Sequence, residues 1–297
     1  MPDPSQDRRK QLRQDVEAGF RESANGFLGF LGQRGKGTLH YLTRTEVHTF
    51  AFSVAANAIL SFFPMIVLLV TIVRRVFHSQ RMNDVIIQLL QDYLPTGQDF
   101  IVRNLNALVN ARKGAQVASL VILLFTSTGI FLPLEVALNQ VWGIKKNRSY
   151  WRNQVISFAL AFAVAILTLI SVALAAGNQA LFSAVFRGDI GNVLTYAMMK
   201  AFAVMASIGI FFLIYWALPN GRISPRSVLP AAVAMGLLWE FTKYLYILAL
   251  PWLDFKEVYG PFSISVTLII WAYLSSLLLL GGAHLFAADE NIRPYET

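Results

Sequence analysis

Charged side chains inside apolar stretches are the residues of this sequence that could do chemistry. Glu135, Lys200, Glu240 and Lys243 lie within or beside long apolar segments, where each charge costs about 2.5–3.5 kcal/mol and needs a partner or a function. Glu240 and Lys243 are three residues apart, so on a helix they share a face and can pair. The pattern predicts a cluster of Lys200, Glu240 and Lys243 in the outer half of a membrane, with net positive charge suited to an anionic headgroup or substrate.

Structural interpretations of the same charges remain open. A buried Glu240–Lys243 ion pair could simply fix the register of its helix, while Lys200 extends to the outer membrane surface. Glu135 lies at the end of its apolar segment and is predicted to pair with Lys145 or Lys146 in the following connection. Under these interpretations the charges stabilise the fold and bind no substrate.

The other polar candidates inside apolar segments are Asn57 and His284. His284 could carry a proton because its reference pKa is near neutral, or it could be a hydrogen-bonding packing residue. His40, His48 and His78 are scattered, without an HExxH motif or a carboxylate at ligand spacing. The chain also has no cysteine, which excludes disulfides and thiolate sites. The sequence therefore predicts no catalytic residues, no metal site and no cofactor.

Six apolar stretches must position these side chains, each near or above the ~20 residues that a helix needs to cross a bilayer. Hydrophobic residues make up 56% of the chain and charged residues 14%, and the mean hydropathy is +0.52. A soluble domain does not have this composition. The sequence predicts an all-α fold, a polytopic membrane helix bundle with six transmembrane helices. The stretches are residues 50–73, 117–134, 155–176, 193–218, 227–250 and 261–288.

Basic residues beside the stretches predict the orientation of the bundle. They cluster after the second and fourth stretches, and the positive-inside rule places both connections in the cytoplasm. With an even number of spans, both termini are then cytoplasmic, an N-in/C-in topology. Arg74 and Arg75, directly after the first stretch, argue for the opposite orientation. The clustered residues are Lys145, Lys146, Arg148, Arg152, Arg222 and Arg226.

Polar segments flank and interrupt the bundle. A long connection, residues 74–116, separates the first and second apolar stretches. In it, apolar residues recur at helical spacing on both sides of Pro95-Thr96-Gly97. This predicts two amphipathic helices on the outer face, which cap the bundle, lie in the interface or gate an opening. The predicted domains are a cytoplasmic polar arm (1–49), a six-helix transmembrane domain (50–288) that contains the outer amphipathic loop (74–116), and a cytoplasmic tail (289–297).

Local motifs predict how the first span begins and bends. Thr43 and Glu46 have the spacing of a capping box, which predicts a helix start near residue 43. Pro64 lies inside the span and removes a backbone donor, so we expect a kink near the middle of that helix.

Four groups of short motifs, in a fixed order, carry a family resemblance over most of the chain. Together they resemble the YihY/BrkB family of bacterial inner-membrane proteins, long labelled ribonuclease BN. The groups are Ala58-Ile-Leu-Ser-Phe-Phe-Pro64; Gly129-Ile-Phe131 with Ala137-Leu-Asn-Gln-Val-Trp-Gly143; Leu218-Pro-Asn220 with Val228-Leu-Pro230 and Leu237-Leu-Trp-Glu240; and Tyr259-Gly260 with Trp271-Ala-Tyr-Leu-Ser275 and Gly281-Gly-Ala283.

The resemblance implies a six-helix inner-membrane protein with cytoplasmic termini and a poorly defined activity. It also implies links to serum resistance and to export of envelope lipids. The chain departs from the family pattern at two places. Ala56 and Asn57 stand where aromatic residues are usual, and His284 stands where a glutamate is expected, so a role for that acid does not carry over.

Two classes of function fit these features. A transporter, exporter or flippase-like protein acting on an anionic lipid or amphipathic envelope substrate explains the intramembrane charges and the amphipathic loop. The alternative is a non-transporting structural or scaffolding membrane protein. The ribonuclease label is disfavoured because metal-dependent cleavage needs several gathered ligands, and basic residues beside the membrane follow from topology and lipid attraction. We expect membrane lipids as partners, no nucleic acid and no enzymatic activity.

Overall fold

A computed structural model describes residues 29, 34–93, 113–145, 148–185, 189–287 and 293–294, and nearly all of these residues are helical. Two two-residue strands pair with each other. The elements are α1 (34–42), α2 (Thr45–Ile72, followed by a π-helical turn, Val73–Phe77), α3 (Gln80–Tyr93), α4 (Lys113–Val141), α5 (Tyr150–Val185), α6 (Asp189–Ala217), β1 (Gly221–Arg222), α7 (Pro225–Leu253), α8 (Phe255–Tyr259, followed by a 3-10 turn, Gly260–Phe262), α9 (Ser263–Phe286) and β2 (Arg293–Pro294).

Five helices in the described part of the chain are long and apolar enough to cross a membrane, by length and composition. Helix α4 is 29 residues long, but its apolar segment within the described side chains, Gly129–Val141, is shorter. The predicted all-α membrane bundle is confirmed in this outline. The five segments are Thr45–Phe77, Tyr150–Gly177, Val193–Ala217, Pro225–Leu253 and Ser263–Phe286.

Neighbouring helices pack through apolar faces. Helix α2 packs mainly on α4 and α9, while α6 packs between α5 and α7. One buried cluster, which we call the strand-end core, includes Tyr41, Leu134, Tyr215 and Leu280. A second cluster, the α3-end core, joins Val70, Met82, Val172, Met199 and Leu268. The two clusters define two ends of the bundle.

The strand end brings both extremities of the described chain together. Strand β1, which follows α6, pairs antiparallel with β2, which follows α9. Helix α1 packs on the same end of α9, because Tyr41 stacks on His284 and the Leu42 side chain lies where a side chain at Gly281 would make close contact. Residues 34–42, inside the predicted polar arm, are therefore a helix docked on the bundle.

Helix α3 is the first of the two predicted amphipathic helices. Its buried apolar side chains, Met82, Val85 and Ile86, belong to the α3-end core, and the helix packs on α5. Within the described chain, α3 therefore covers one end of the bundle, in agreement with the predicted alternative in which the amphipathic helices cap the bundle. The second predicted amphipathic helix, near residues 101–109, lies outside the described residues.

The start of α2 differs from the predicted capping box. The helix begins at Thr45, and its N-cap residue Arg44 makes no side-chain capping hydrogen bond. The hydroxyl of Thr43 instead donates to the carbonyl oxygen of His40, at 2.8 Å. Because α1 ends immediately before α2, the hydroxyl binds the carbonyl at the end of α1 and the capping box does not form.

Candidate functional site

A buried ion pair on α7 is the centre of the candidate site. The ammonium of Lys243 lies 2.5 Å from Oε2 of Glu240, and the two residues are only 2% and 6% exposed. The other carboxylate oxygen, Oε1, accepts a hydrogen bond from the hydroxyl of Ser207 on α6, at 2.9 Å. The predicted contact between Glu240 and Lys243 is confirmed, and Ser207 ties the pair to a second helix.

Aromatic rings complete the surroundings of the Lys243 ammonium. It lies 4.7 Å from the ring centre of Tyr244 and 5.7 Å from that of Trp239, distances at which a cation is attracted to a ring face. The indole N–H of Trp239 donates to the hydroxyl of Ser275 on α9, at 2.8 Å. The pair is therefore connected to three helices, α6, α7 and α9.

Lys200 lies on the same face of α6 as Ser207, because seven residues make about two helical turns. It is roughly 10 Å nearer the α3 end at 1.5 Å per residue, next to Met199 of the α3-end core. Its ammonium lies over the ring of Tyr196, 5.1 Å from the ring centre. Of the three predicted binding residues, Glu240 and Lys243 are in contact, whereas Lys200 is separated along the axis of α6 from Ser207, which binds the pair.

A cavity of about 440 Å³ lies beside the pair. Five spanning helices and α3 contribute to its wall, and Ser207 and Trp239, which contact Glu240 and Lys243, are among the lining residues. Its volume is in the range of small-molecule sites. Most of the other lining residues are apolar, including Phe62, Leu89 and Trp271.

A second polar network ties the strand end together. Glu135 of α4 is 1% exposed, and its Oε1 accepts from the backbone N–H of Arg148, at 3.2 Å. The Arg148 guanidinium lies 3.8 Å from the same oxygen and donates to the carbonyls of Leu218 and Pro219, at 2.5 and 2.9 Å. Arg148 therefore binds Glu135, and the predicted partner Lys145 is exposed. The other predicted partner, Lys146, lies outside the described residues.

Arg148 acts as a C-terminal cap of α6. The last carbonyls of a helix have no partner within it and attract cations. The guanidinium bridges the carbonyl of Ala217, the last residue of α6, and those of Leu218 and Pro219, which follow the helix. Asn139 of α4 also binds the segment that follows α6, because its side-chain oxygen accepts a hydrogen bond from the backbone N–H of Asn220, at 2.7 Å. The network links α4, the α4–α5 connection and the end of α6.

His284 and Asn57 have packing contacts. Nδ1 of His284 lies 3.1 Å from the hydroxyl of Thr38, and its ring stacks on Tyr41 with 4.4 Å between centres. Burial raises the pKa of Tyr41 to about 12 against the opposing effect of Arg44. Asn57 donates to the carbonyl of Ser53 at 2.9 Å. These contacts fit the packing interpretation of His284.

The matched family model places the chain among known proteins. The model described as virulence factor BrkB matches residues 38–296. The chain belongs to the BrkB family. It is 26% identical to a UPF0761 membrane protein of Pseudoalteromonas atlantica over 83% of this chain and 82% of that protein. A UPF0761 membrane protein of Pseudoalteromonas translucida is 27% identical, over 69% of this chain and 68% of that protein. No solved structure matches.

The BrkB-family match confirms the resemblance read from the motifs, but the motifs did not reveal every residue of the site. Ser207 contacts Glu240 on another helix, 33 residues away in sequence, and Arg148 contacts Glu135 from the α4–α5 connection, 13 residues away. Hydropathy offers no signal for such contacts. Among the described residues of this BrkB-family chain, no group of three or more His, Asp or Glu residues is placed to hold a metal ion.

Proposed function

We propose that this BrkB-family chain is a transporter or flippase-like protein of the inner membrane that acts on an anionic amphipathic lipid. The observation that carries the proposal is the cavity of about 440 Å³ whose wall includes Ser207, the residue that also binds the buried Glu240–Lys243 pair. A bundle packed solely for structure has few voids larger than a water molecule. A cavity of this size beside a buried ion pair suits the binding of a lipid substrate.

The charges are placed to help an anionic headgroup leave the membrane surface. A headgroup in hydrocarbon loses its hydration, so its passage needs polar or charged protein groups along the route. Lys200 supplies positive charge nearer the α3 end, and the Glu240–Lys243 pair follows about 10 Å deeper on the same α6–α7 face. We infer that the headgroup meets Lys200 first, and that Lys243 then shares its charge between Glu240 and the headgroup.

Six crossings, with both termini in the cytoplasm, complete the proposal. Helix α1 and strands β1 and β2 lie at one end of the bundle, and a chain whose two extremities share one side crosses the membrane an even number of times. Helix α4, about 44 Å long at 1.5 Å per residue, would then be a sixth span beside the five that are recognised by length and composition. The basic residues Arg222 and Arg226, near β1, support a cytoplasmic strand end.

Reconstitution of the full chain tests the proposed activity. Vesicles containing fluorescent phosphatidylglycerol are treated with an impermeant quencher, with and without an imposed proton gradient. The protein should make inner-leaflet lipid accessible faster than protein-free vesicles do. Ala206→Phe, which fills the cavity, should abolish the effect, whereas Ala201→Phe on the exposed side of the same helix should retain it. If wild type moves no lipid under either condition, the transport proposal fails and a scaffolding role is favoured.

A further inference from the structure

We propose that the cavity holds one acyl chain of an anionic phospholipid, with the headgroup outside the cavity at the α3 end. This inference rests on the proposed function for the view that the bound lipid is a substrate, but binding itself can be tested separately. Four features of the cavity support it: the chemistry of its lining, its length, its end wall and the charges outside that wall.

The lining offers hydrocarbon contacts and few unused donors. Four hydroxyl residues reach the cavity, and each is already hydrogen-bonded within the protein. Thr168 donates to the carbonyl of Val164 at 2.8 Å, and Ser171 donates to that of Phe202 at 3.1 Å. Ser275 accepts from Trp239. No charged side chain of the described chain is among the lining residues, so a headgroup inside would lose water without gaining a partner.

The length of the cavity matches one leaflet. Along α2 its lining residues run from Ala58 to Leu69, which is about 16 Å at 1.5 Å per residue. The hydrocarbon core of a bilayer is ~30 Å thick, so a single leaflet provides ~15 Å. A chain that enters from the α3 end would therefore extend to the middle of the membrane, along a lining that includes Ser207 and Trp239.

Hydrocarbon is the expected content of such a space. Apolar cavities stay free of water but accept apolar molecules, and this cavity lies within spanning helices that are surrounded by lipid. Leaving it empty would cost its lining residues their dispersion contacts. An acyl chain restores those contacts without removing a polar group from water.

Helix α3 forms part of the cavity wall at the outer end. Ile86, Leu89 and Leu90 line the cavity from this helix, while its opposite face, with Arg81 and Asp84, is exposed. An amphipathic helix in this position lies at the level of lipid headgroups. Displacement of α3 from the α3-end core would open the cavity to a lipid in the same leaflet.

The charges around α3 select the headgroup. From residue 73 to the end of α3, the sequence has three arginines, Arg74, Arg75 and Arg81, and two acidic residues, Asp84 and Asp92. Arg75 and Arg81 are exposed, and Lys200 lies at the same end. Positive side chains at the interface attract anionic headgroups. An anionic phospholipid therefore fits both parts of the site, with its chain in the cavity and its phosphate beside α3.

Photocrosslinking of the full-length protein in vesicles tests this arrangement. The probe is phosphatidylglycerol with a diazirine near the end of one acyl chain, and crosslinked peptides are located by mass spectrometry. We expect labels on the cavity walls, in segments 203–210 and 268–275, and loss of those labels in Ala206→Phe and in Ala272→Phe. The matched control Ala201→Phe should leave them unchanged. A probe with a phosphatidylcholine headgroup should label the same segments less.

Each outcome decides between the alternatives. Labels confined to lipid-facing surfaces, or cavity labels that survive both filling variants, would overturn the acyl-chain site. Equal labelling by the two headgroups would overturn its preference for anionic lipid. Cavity labelling together with no lipid movement in the reconstitution assay would keep the binding site and defeat only the transport proposal. Circular dichroism of each variant verifies that a lost label does not result from unfolding.

Discussion

The side-chain amide of Asn57 on α2 occupies the space that a side chain at Gly129 on α4 would need. A Cβ atom built at Gly129 would overlap the amide oxygen, carbon and nitrogen of Asn57. The amide is held in place because it donates to the carbonyl of Ser53, at 2.9 Å. The two helices therefore pack directly, backbone against side chain, at the most extensive helix contact of the described chain.

Gly129→Ala is expected to destabilise the bundle. Overpacking a close contact typically costs 1–3 kcal/mol, and here the displaced group is a hydrogen-bonded amide rather than a flexible chain end. Thermal unfolding of the purified protein, followed by tryptophan fluorescence, should show a lower midpoint than wild type.

Two further variants serve as controls for this contact. Gly177→Ala adds the same methyl group where nothing lies within 4 Å, so it should be neutral or raise stability by up to about 1 kcal/mol through helix propensity. Asn57→Ala should restore most of the stability lost in Gly129→Ala, because it removes the opposing amide. Equal effects of the two glycine substitutions would refute the close contact.

The features that could be predicted from the sequence are those that follow from a helical repeat or a run of apolar residues. Spanning segments and the Glu240–Lys243 contact follow from helical repeat and hydropathy, and both were predicted. The partner of Glu135 was not, because the α4–α5 connection has no repeat from which to choose Arg148 over Lys145. The cavity was beyond prediction as well. It results from the combined shapes of six helices, and no single segment carries its signal.

Removing one member of the buried ion pair should be costly, and removing both should not. Lys243→Met removes the ammonium that pairs with Glu240, and breaking a buried ion pair typically costs 3–5 kcal/mol. The double variant Glu240→Leu/Lys243→Met should recover most of that stability, since an apolar replacement of a buried pair is often neutral. Unfolding midpoints of the single and double variants measure both effects.

The same variants separate structure from transport. If the pair only supports packing, the double variant should move lipid at the wild-type rate in the reconstitution assay. Our proposal requires that the double variant be stable but inactive. A stable and fully active double variant would exclude the pair from the transport route.

Arg148→Ala should weaken the strand end far more than Arg152→Ala. The guanidinium of Arg148 binds three carbonyls at the end of α6 and lies 3.8 Å from Glu135, and hydrogen bonds to a charged group contribute about 1.5–3 kcal/mol each. Arg152 is exposed, so its replacement should stay within about 0.5 kcal/mol. Arg148→Lys should fall between them, because an ammonium lacks the planar fork that reaches several acceptors. Identical unfolding midpoints for the two alanine variants would contradict the capping role.

Single cysteines should report opposite sides of the membrane at the two ends of the bundle. The chain has no cysteine of its own, so Gln80→Cys on α3 and Ser224→Cys beside β1 each give one reactive thiol at an exposed position. Helices α4, α5 and α6 lie between them. Three crossings place the two thiols on opposite sides, and two crossings, with α4 inside the bundle but not spanning, place them on the same side.

In intact spheroplasts, an impermeant maleimide should label Gln80→Cys alone and reach Ser224→Cys only after permeabilisation. Labelling of both before permeabilisation would remove α4 from the spans, and labelling of Ser224→Cys alone would invert the N-in/C-in topology.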